Sequence, residues 1–200
     1  MCGACGGGRS APRWEDVLAP PTRPVLADRA ARTGQLLDPG AGLRVKSWLS
    51  AGYLLSDRVG RTVHAADLDT LWRAAAERGA RPRGWRPLSG ADTTVSVELP
   101  GGWDLAAAAV WCAATVRAAP DASLHVTLPD PAGDRVLGIT LASGAVRATV
   151  LHGAGSPPGD SVPDGRAPGG AVLISGAGAA EAARHLRGHH DVTRAPADRG

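Results

Sequence analysis

Apolar positions along this chain switch between the 3.6-residue spacing of helices and the two-residue spacing of strands, and the switches predict an α+β protein. Thr22 can cap a helix with Pro24 in its first turn, running to about Leu37 through Val25, Leu26, Ala30 and Leu36. Asp38-Pro39-Gly40 stops it. Residues 43–49 and 52–56 read as strands, Asp57-Arg58-Val59-Gly60 as a turn, and 61–65 as a third strand. Asp67 then caps a helix through about Arg78, with Leu68, Leu71, Trp72 and Ala75 at i, i+3, i+4 and i+7, and Gly79 ends it. Together these form a small α-β-β-β-α lobe over 22–79.

A second lobe is predicted over 93–188 in the order β-α-β-β-β-β-α, with a mainly antiparallel sheet. Val95, Val97 and Leu99 alternate with Thr94, Ser96 and Glu98, the pattern of a half-buried strand. Asp104 caps a helix over 105–118 that is apolar nearly all round, so it is expected to be buried against a sheet. Strands at 123–128, 135–141 and 145–152 follow with short turns between them, which implies an antiparallel meander. Residues 171–175 read as a buried strand and 176–187 as the last helix. The remaining stretches are connections: a flexible arm over 1–21 with Trp14, Val17 and Leu18 as its anchor, a linker over 80–92, a mobile Pro/Gly-rich loop over 153–170 and a frayed tail over 189–200.

Composition adds a constraint on chemistry. With 44% hydrophobic and 20% charged residues, 200 residues suffice for a folded core without help from disulfides or metals. Lys46 is the only lysine, so 21 of the 22 basic residues are arginine, and there is no phenylalanine. That skew matches the coding bias of a GC-rich bacterial genome and weakens any functional reading of arginine abundance. The net charge is only +3, and the acidic residues are interspersed with the basic ones. The densest basic stretch (Arg78, Arg81, Arg83 and Arg86) reads as a solvated linker, so nucleic acid is not an expected partner. No stretch reaches the ~20 apolar residues that span a bilayer, and no signal peptide is evident, so a cytoplasmic, reducing location without a membrane partner is expected.

Cys2-Gly3-Ala4-Cys5 is the most pointed chemical feature. Two thiolates at this spacing can grip one metal ion, and in a reducing compartment the pair reads better as ligands or a redox couple than as a disulfide. A structural zinc site takes four ligands. His185 and His189 have the H-x3-H spacing of such sites and are the candidates for the other two; a homodimer pairing two arms is the alternative. Met1-Cys2-Gly3 resembles the start of class II glutamine amidotransferases over those three residues, which would make Cys2 a nucleophile. The leading expectation is a small cytoplasmic binding or regulatory protein with zinc on Cys2, Cys5, His185 and His189. The alternatives are a small thiol- or metal-dependent enzyme using Cys2 and Cys5, and a metal-free protein-interaction module.

Other motifs have plain readings. Cys112 sits mid-helix as a core residue, and His64 and His125 lie within strands. Asp67 and Asp69 suit the positive end of a helix dipole. The glycines of 176–178 resemble a dinucleotide-binding turn, but Glu181 occupies the third glycine position and would repel a pyrophosphate.

Overall fold

The computed structural model describes residues 13–49, 52–99, 104–129, 136–151 and 171–194. Helix α1 (Trp14–Leu18) leads into α2 (Arg23–Leu36), whose first turn Thr22 caps by accepting a hydrogen bond from Val25 N–H. A short 3-10 turn at Pro39–Ala41 delivers the chain to strands β1 (Arg44–Trp48), β2 (Gly52–Ser56) and β3 (Thr62–Ala65), an antiparallel meander. Helix α3 (Leu68–Ala76) follows, capped by the Asp67 carboxylate on Thr70 N–H at 2.7 Å.

The second half contributes β4 (Asp92–Val97), α4 (Leu105–Ala118), β5 (Leu124–Pro129), β6 (Val136–Ala142), β7 (Ala145–Leu151), β8 (Val172–Ala177) and α5 (Ala179–Arg194). Its five strands lie in the order β4-β8-β5-β6-β7, and every pairing is antiparallel. Because β4 and β5 both run antiparallel to β8, they are parallel to each other. The β4-α4-β5 unit is therefore a split crossover, with β8 filling the slot that the crossover leaves open. One cross-strand row, Val95–Ile174–Val126–Ile139–Ala148, traverses all five strands and gives the sheet an apolar face.

The helices occupy the space between the two sheets. α2 and α3 cover the small sheet, while α4 and α5 cover the large one. α4 is the meeting point, since it also touches α1, α2 and α3, and every residue from Ala106 to Val116 is buried. Its alanines make this possible: small side chains let several helices approach one axis closely. Buried residues from both halves form one continuous core. An ion pair fastens the halves at the surface, where Asp104 caps α4 by accepting from Ala106 N–H at 2.8 Å and also pairs with Arg32 of α2.

Three features differ from the pattern-based expectation, the first being that residues 14–18 of the expected flexible arm form α1 with Glu15 and Leu18 buried. The last helix does not stop at Arg187 but continues through Arg194, and His189 and His190 are buried rather than part of a frayed tail. They extend the stripe of Ala182, Ala183 and Leu186 by one turn, but histidine carries no apolar signal in a sequence. The 80–92 connection is also laced to the body, as described below. No helix among the described residues is long and apolar enough to cross a membrane.

Gly176, inside β8, adopts φ +121, and a Cβ there would run into the carbonyl oxygen of Ser123. Gly188 is its opposite, with open space around a helical position. Gly176→Ala is therefore expected to cost about 2 kcal/mol or more, whereas Gly188→Ala should gain about 0.5–1 kcal/mol. Thermal unfolding of the two variants side by side checks both signs. Equal and small effects would refute the assignment of strain to Gly176.

Candidate functional site

A strap of irregular chain builds one wall of the candidate site. It leaves α3 through Gly79 at φ 75, and Pro82 and Pro87 deny it the amides that a regular strand would need. Instead it is tied to the end of α2. Asp38 N–H donates to Arg81 O at 3.0 Å, Arg83 N–H donates to Leu36 O at 2.6 Å, and Leu37 and Pro82 form an isolated bridge. Further along, Trp85 stacks on His185 of α5, with ring centroids 4.4 Å apart and planes inclined by 9°. His185 Nε2 lies 3.0 Å from Arg86 N and 2.9 Å from Arg86 O, so this ring also fixes the strap's backbone.

Between the strap and helices α2, α4 and α5 lies a cavity of about 280 Å³. Gln35 and Leu36 line it from α2, residues 82–85 from the strap, and Trp111, Ala114 and Thr115 from α4. The α5 wall comprises Arg184, His185, Gly188, His189 and Val192. Trp111 and Thr115 are only 2% and 1% exposed, and they stand one turn apart, hence on one face of α4. Trp111 Nε1, Thr115 Oγ1 and Gln35 Oε1 are buried atoms without a hydrogen-bond partner among the described residues. Leaving a buried polar atom unpaired costs about 1–3 kcal/mol, and Glu15 Oε2, Arg29 Nε, Tyr53 Oη and Asp69 Oδ1 are also without a partner among the described residues.

The cavity's electrostatics are simple. No carboxylate stands among its lining residues, and Arg83 and Arg184 sit at exposed positions on its rim, the latter held by Glu181 at 2.5 Å. His189 Nε2 lies 3.1 Å from Ala107 O; a carbonyl can only accept, so the ring carries its proton on Nε2. Burial, more than any neighbouring charge, lowers its pKa to about 4 and keeps it neutral. Pro82 and Trp85 also line a wider groove of about 800 Å³, whose walls include Trp72, Leu88, Arg117 and Ser123.

A second concentration of polar groups serves structure. Glu15 and Arg29 are fully buried between α1, α2 and α3. Arg29 donates from Nη2 to the carbonyls of Glu15 and Ala19 and from Nη1 to Asp16 at 3.3 Å. Glu15 Oε1 accepts from Leu68 N–H at 3.1 Å, serving as a cap for α3 from across the fold, and Trp14 Nε1 donates to Asp69 at 3.0 Å. Burial pushes the Glu15 carboxyl up to about 7 against the opposing pull of Arg29, and pushes the neighbouring Tyr53 up to about 12. A carboxyl poised near neutrality suits a general base, but Glu15 is 0% exposed and its Oε1 is taken by Leu68 N–H. The cluster anchors α1.

Of the residues singled out from sequence, Cys2 and Cys5 lie outside the described residues. His185 and His189 are brought together on one wall of the cavity, with their Nε2 atoms turned toward Arg86 and Ala107 backbone groups. Among the described residues, no group of three or more His, Cys, Asp or Glu side chains is arranged to hold a metal ion. Cys112 is free and wholly buried, and burial raises its thiol pKa far above neutrality, so it is an inert core residue. His64 and His125 are exposed on their strands rather than packed within the core. The glycine turn at 176–178 is a tight strand-to-helix junction, with Gly178 close against Leu88 and Ser89. Sequence reading missed Gln35, Trp85, Trp111 and Thr115. A tryptophan in a Pro/Gly connection and a lone threonine in an alanine-rich helix were the available signals.

No protein-family model matches the chain, and no curated protein or solved structure is significantly similar to it.

Proposed function

We propose that this protein is a small-molecule-binding protein with a regulatory rather than catalytic role, and that its ligand occupies the cavity under the Trp85 strap. The observation that supports this reading is a cavity of about 280 Å³ walled by Trp85 and Trp111 and lined by the polar residues Gln35, Thr115 and His185. Ligand sites combine apolar walls with a few placed polar groups in this way. A catalytic role finds less support, because the lining holds no carboxylate and no cysteine beside its two histidines.

Gly188 provides the test, because it stands on the cavity wall and an added Cβ there meets nothing within 4 Å. Equilibrium dialysis of the wild-type chain and Gly188→Phe against a bacterial small-molecule extract, read by mass spectrometry, is expected to show a compound retained by the wild type alone. Retention of nothing, or equal retention by both proteins, would refute the reading.

A second reading rests on the Cys2-x-x-Cys5 spacing. In that reading the arm holds zinc, with the four ligands completed by His185 and His189 or by the arm of a second copy. His185 and His189 face backbone groups through Nε2, so in the histidine route they would ligate through Nδ1. Metal analysis of untagged protein purified under reducing conditions should find about 0.5 zinc per chain for the dimer and about 1 for the histidine site; less than about 0.3 excludes both.

A further inference from the structure

We infer that the outer face of the small sheet binds single-stranded nucleic acid, with a base stacked on Trp48 and the phosphates led past Lys46 and Arg44 toward a cleft walled by Arg58 and Arg83. This goes beyond the small-molecule reading above and does not depend on it. The strand register fixes which residues share that face. Val45, Leu55 and Val63 form one cross-strand row packed on the core, and Tyr53 and Ala65 belong to another. The alternate positions therefore point away from the core. They are Arg44, Ser56 and Thr62 in one row, Lys46, Leu54 and His64 in the next, and Trp48 opposite Gly52, and none of these eight positions is acidic. Arg44, Lys46, Trp48, Thr62 and His64 are all exposed.

Charge supplies the first argument. Arg44 and Lys46 stand two residues apart on β1, and neither has an ion pair among the described residues. Arg44, Ser56 and Thr62 also line a cleft of about 660 Å³ at the end of the sheet, whose other walls carry Arg58 and Arg83. Arg58 is held there: it lies across Gly42, where a Cβ would collide with its Nε, and its Nη2 donates to Gly40 O at 3.2 Å. The two carboxylates of the cleft are engaged by backbone, Asp38 accepting from Gly40 N–H and Asp57 from Val59 and Arg61 N–H. The cations are spread along β1 and beyond its end, so a chain of phosphates meets them in turn, whereas a single phosphate meets only one or two.

The aromatic residue selects the single strand. Trp48 is 45% exposed, and Gly52 opposite it puts no side chain against the indole. An open π-face beside cations is a platform for unpaired bases, and bases locked inside a duplex cannot reach it. An anionic membrane is the competitor, because Leu49 beside Trp48 is 65% exposed. Lipid insertion needs a broad apolar face, however, and here hydroxyls, an imidazole and cations occupy most of the positions. Charge runs in the sequence do not reveal this surface, since its cations alternate along one strand and come from separate segments.

Fluorescence anisotropy of the full-length protein with labelled oligo-dT of about 12 nucleotides, alone or in a duplex with oligo-dA, tests the inference. Co-sedimentation with phosphatidylserine-containing vesicles tests the competitor. The single strand should bind, with its affinity falling about 50-fold from about 50 to 200 mM salt if four phosphates are neutralised. The duplex should bind at least about tenfold more weakly. Trp48→Ala should weaken single-strand binding by about tenfold, and Lys46→Gln should reduce the slope of log affinity against log salt by about 0.7. Both positions are exposed, so the unfolding temperatures should stay near that of the wild type. Leu49→Asn, which suits the φ of 51 at that corner, should leave oligonucleotide binding unchanged. No binding at about 50 mM salt overturns the inference, as does binding that Trp48→Ala and Lys46→Gln both leave unaltered. Equal affinity for the duplex overturns it too. Binding to vesicles alone, abolished by Leu49→Asn, replaces nucleic acid with a membrane surface.

Discussion

Replacing Arg29 by Ala is expected to lower the stability of the protein by about 3–5 kcal/mol, the largest single effect we anticipate. The guanidinium is fully buried and simultaneously satisfies the carbonyls of Glu15 and Ala19 and the carboxylate of Asp16. Its removal leaves those acceptors unpaired and deprives Glu15 of the charge that opposes its protonation. The loss should be greater at pH 8 than at pH 5, because at the lower pH Glu15 can take up a proton and shed part of the penalty. Urea unfolding at both pH values, with the slope of the transition unchanged, gives the answer. A loss below about 1 kcal/mol at pH 8 would mean that the cluster does not anchor α1.

The second large effect is a pair of opposed pH dependences. Glu15 has its folded pKa raised from 4.5 to about 7, so it favours folding fully below pH 4.5, and that contribution is lost as pH rises through 7. His189 has its folded pKa lowered from 6.5 to about 4, so its contribution is present above pH 6.5 and is lost as pH falls toward 4. Each is worth about 3 kcal/mol, and over most of the same window they cancel. Glu15→Gln removes the falling contribution, so its stability should climb relative to wild type between pH 4.5 and 7. His189→Gln removes the rising one, so its stability should drop relative to wild type between pH 4 and 6.5. Comparing slopes rather than levels subtracts the background from all other groups, and parallel curves for the three proteins would contradict both assignments.

These effects and the cavity share a cause in the way the helices meet. α4 is wrapped by α1, α2, α3 and α5, and polar groups brought in on those neighbours are shut away from water. Arg29, Glu15 and Asp16 find one another and form the anchor of α1, with Glu15 Oε2 and Arg29 Nε left over. Trp111, Thr115 and Gln35 do not, and the space they border is where we place a ligand. The strap over that space is set by two prolines, a few backbone hydrogen bonds and one ring stack. Arg86 and Pro87 are its exposed outer positions.

Local chemistry in the sequence determined the elements. Thr22, Asp67 and Asp104 cap the helices they were expected to cap, because a cap needs only its own side chain and the amides two or three residues on. Alternation placed the strands, and the short turns between β5, β6 and β7 predicted their meander, because both signals are confined to neighbouring residues. The uniformly apolar pattern of 105–118 correctly implied a buried helix. What only the tertiary structure decided is everything that depends on distant residues meeting. The insertion of β8 between β4 and β5 is one case, since a split crossover leaves no local mark. The burial of Glu15, Arg29 and His189 is another, because charged and polar side chains are buried only when a partner far along the chain compensates them. The cavity between Gln35, Trp85, Trp111 and His185 is the third. Its walls come from four segments up to about 150 residues apart, and no spacing rule links positions that meet only when helices pack.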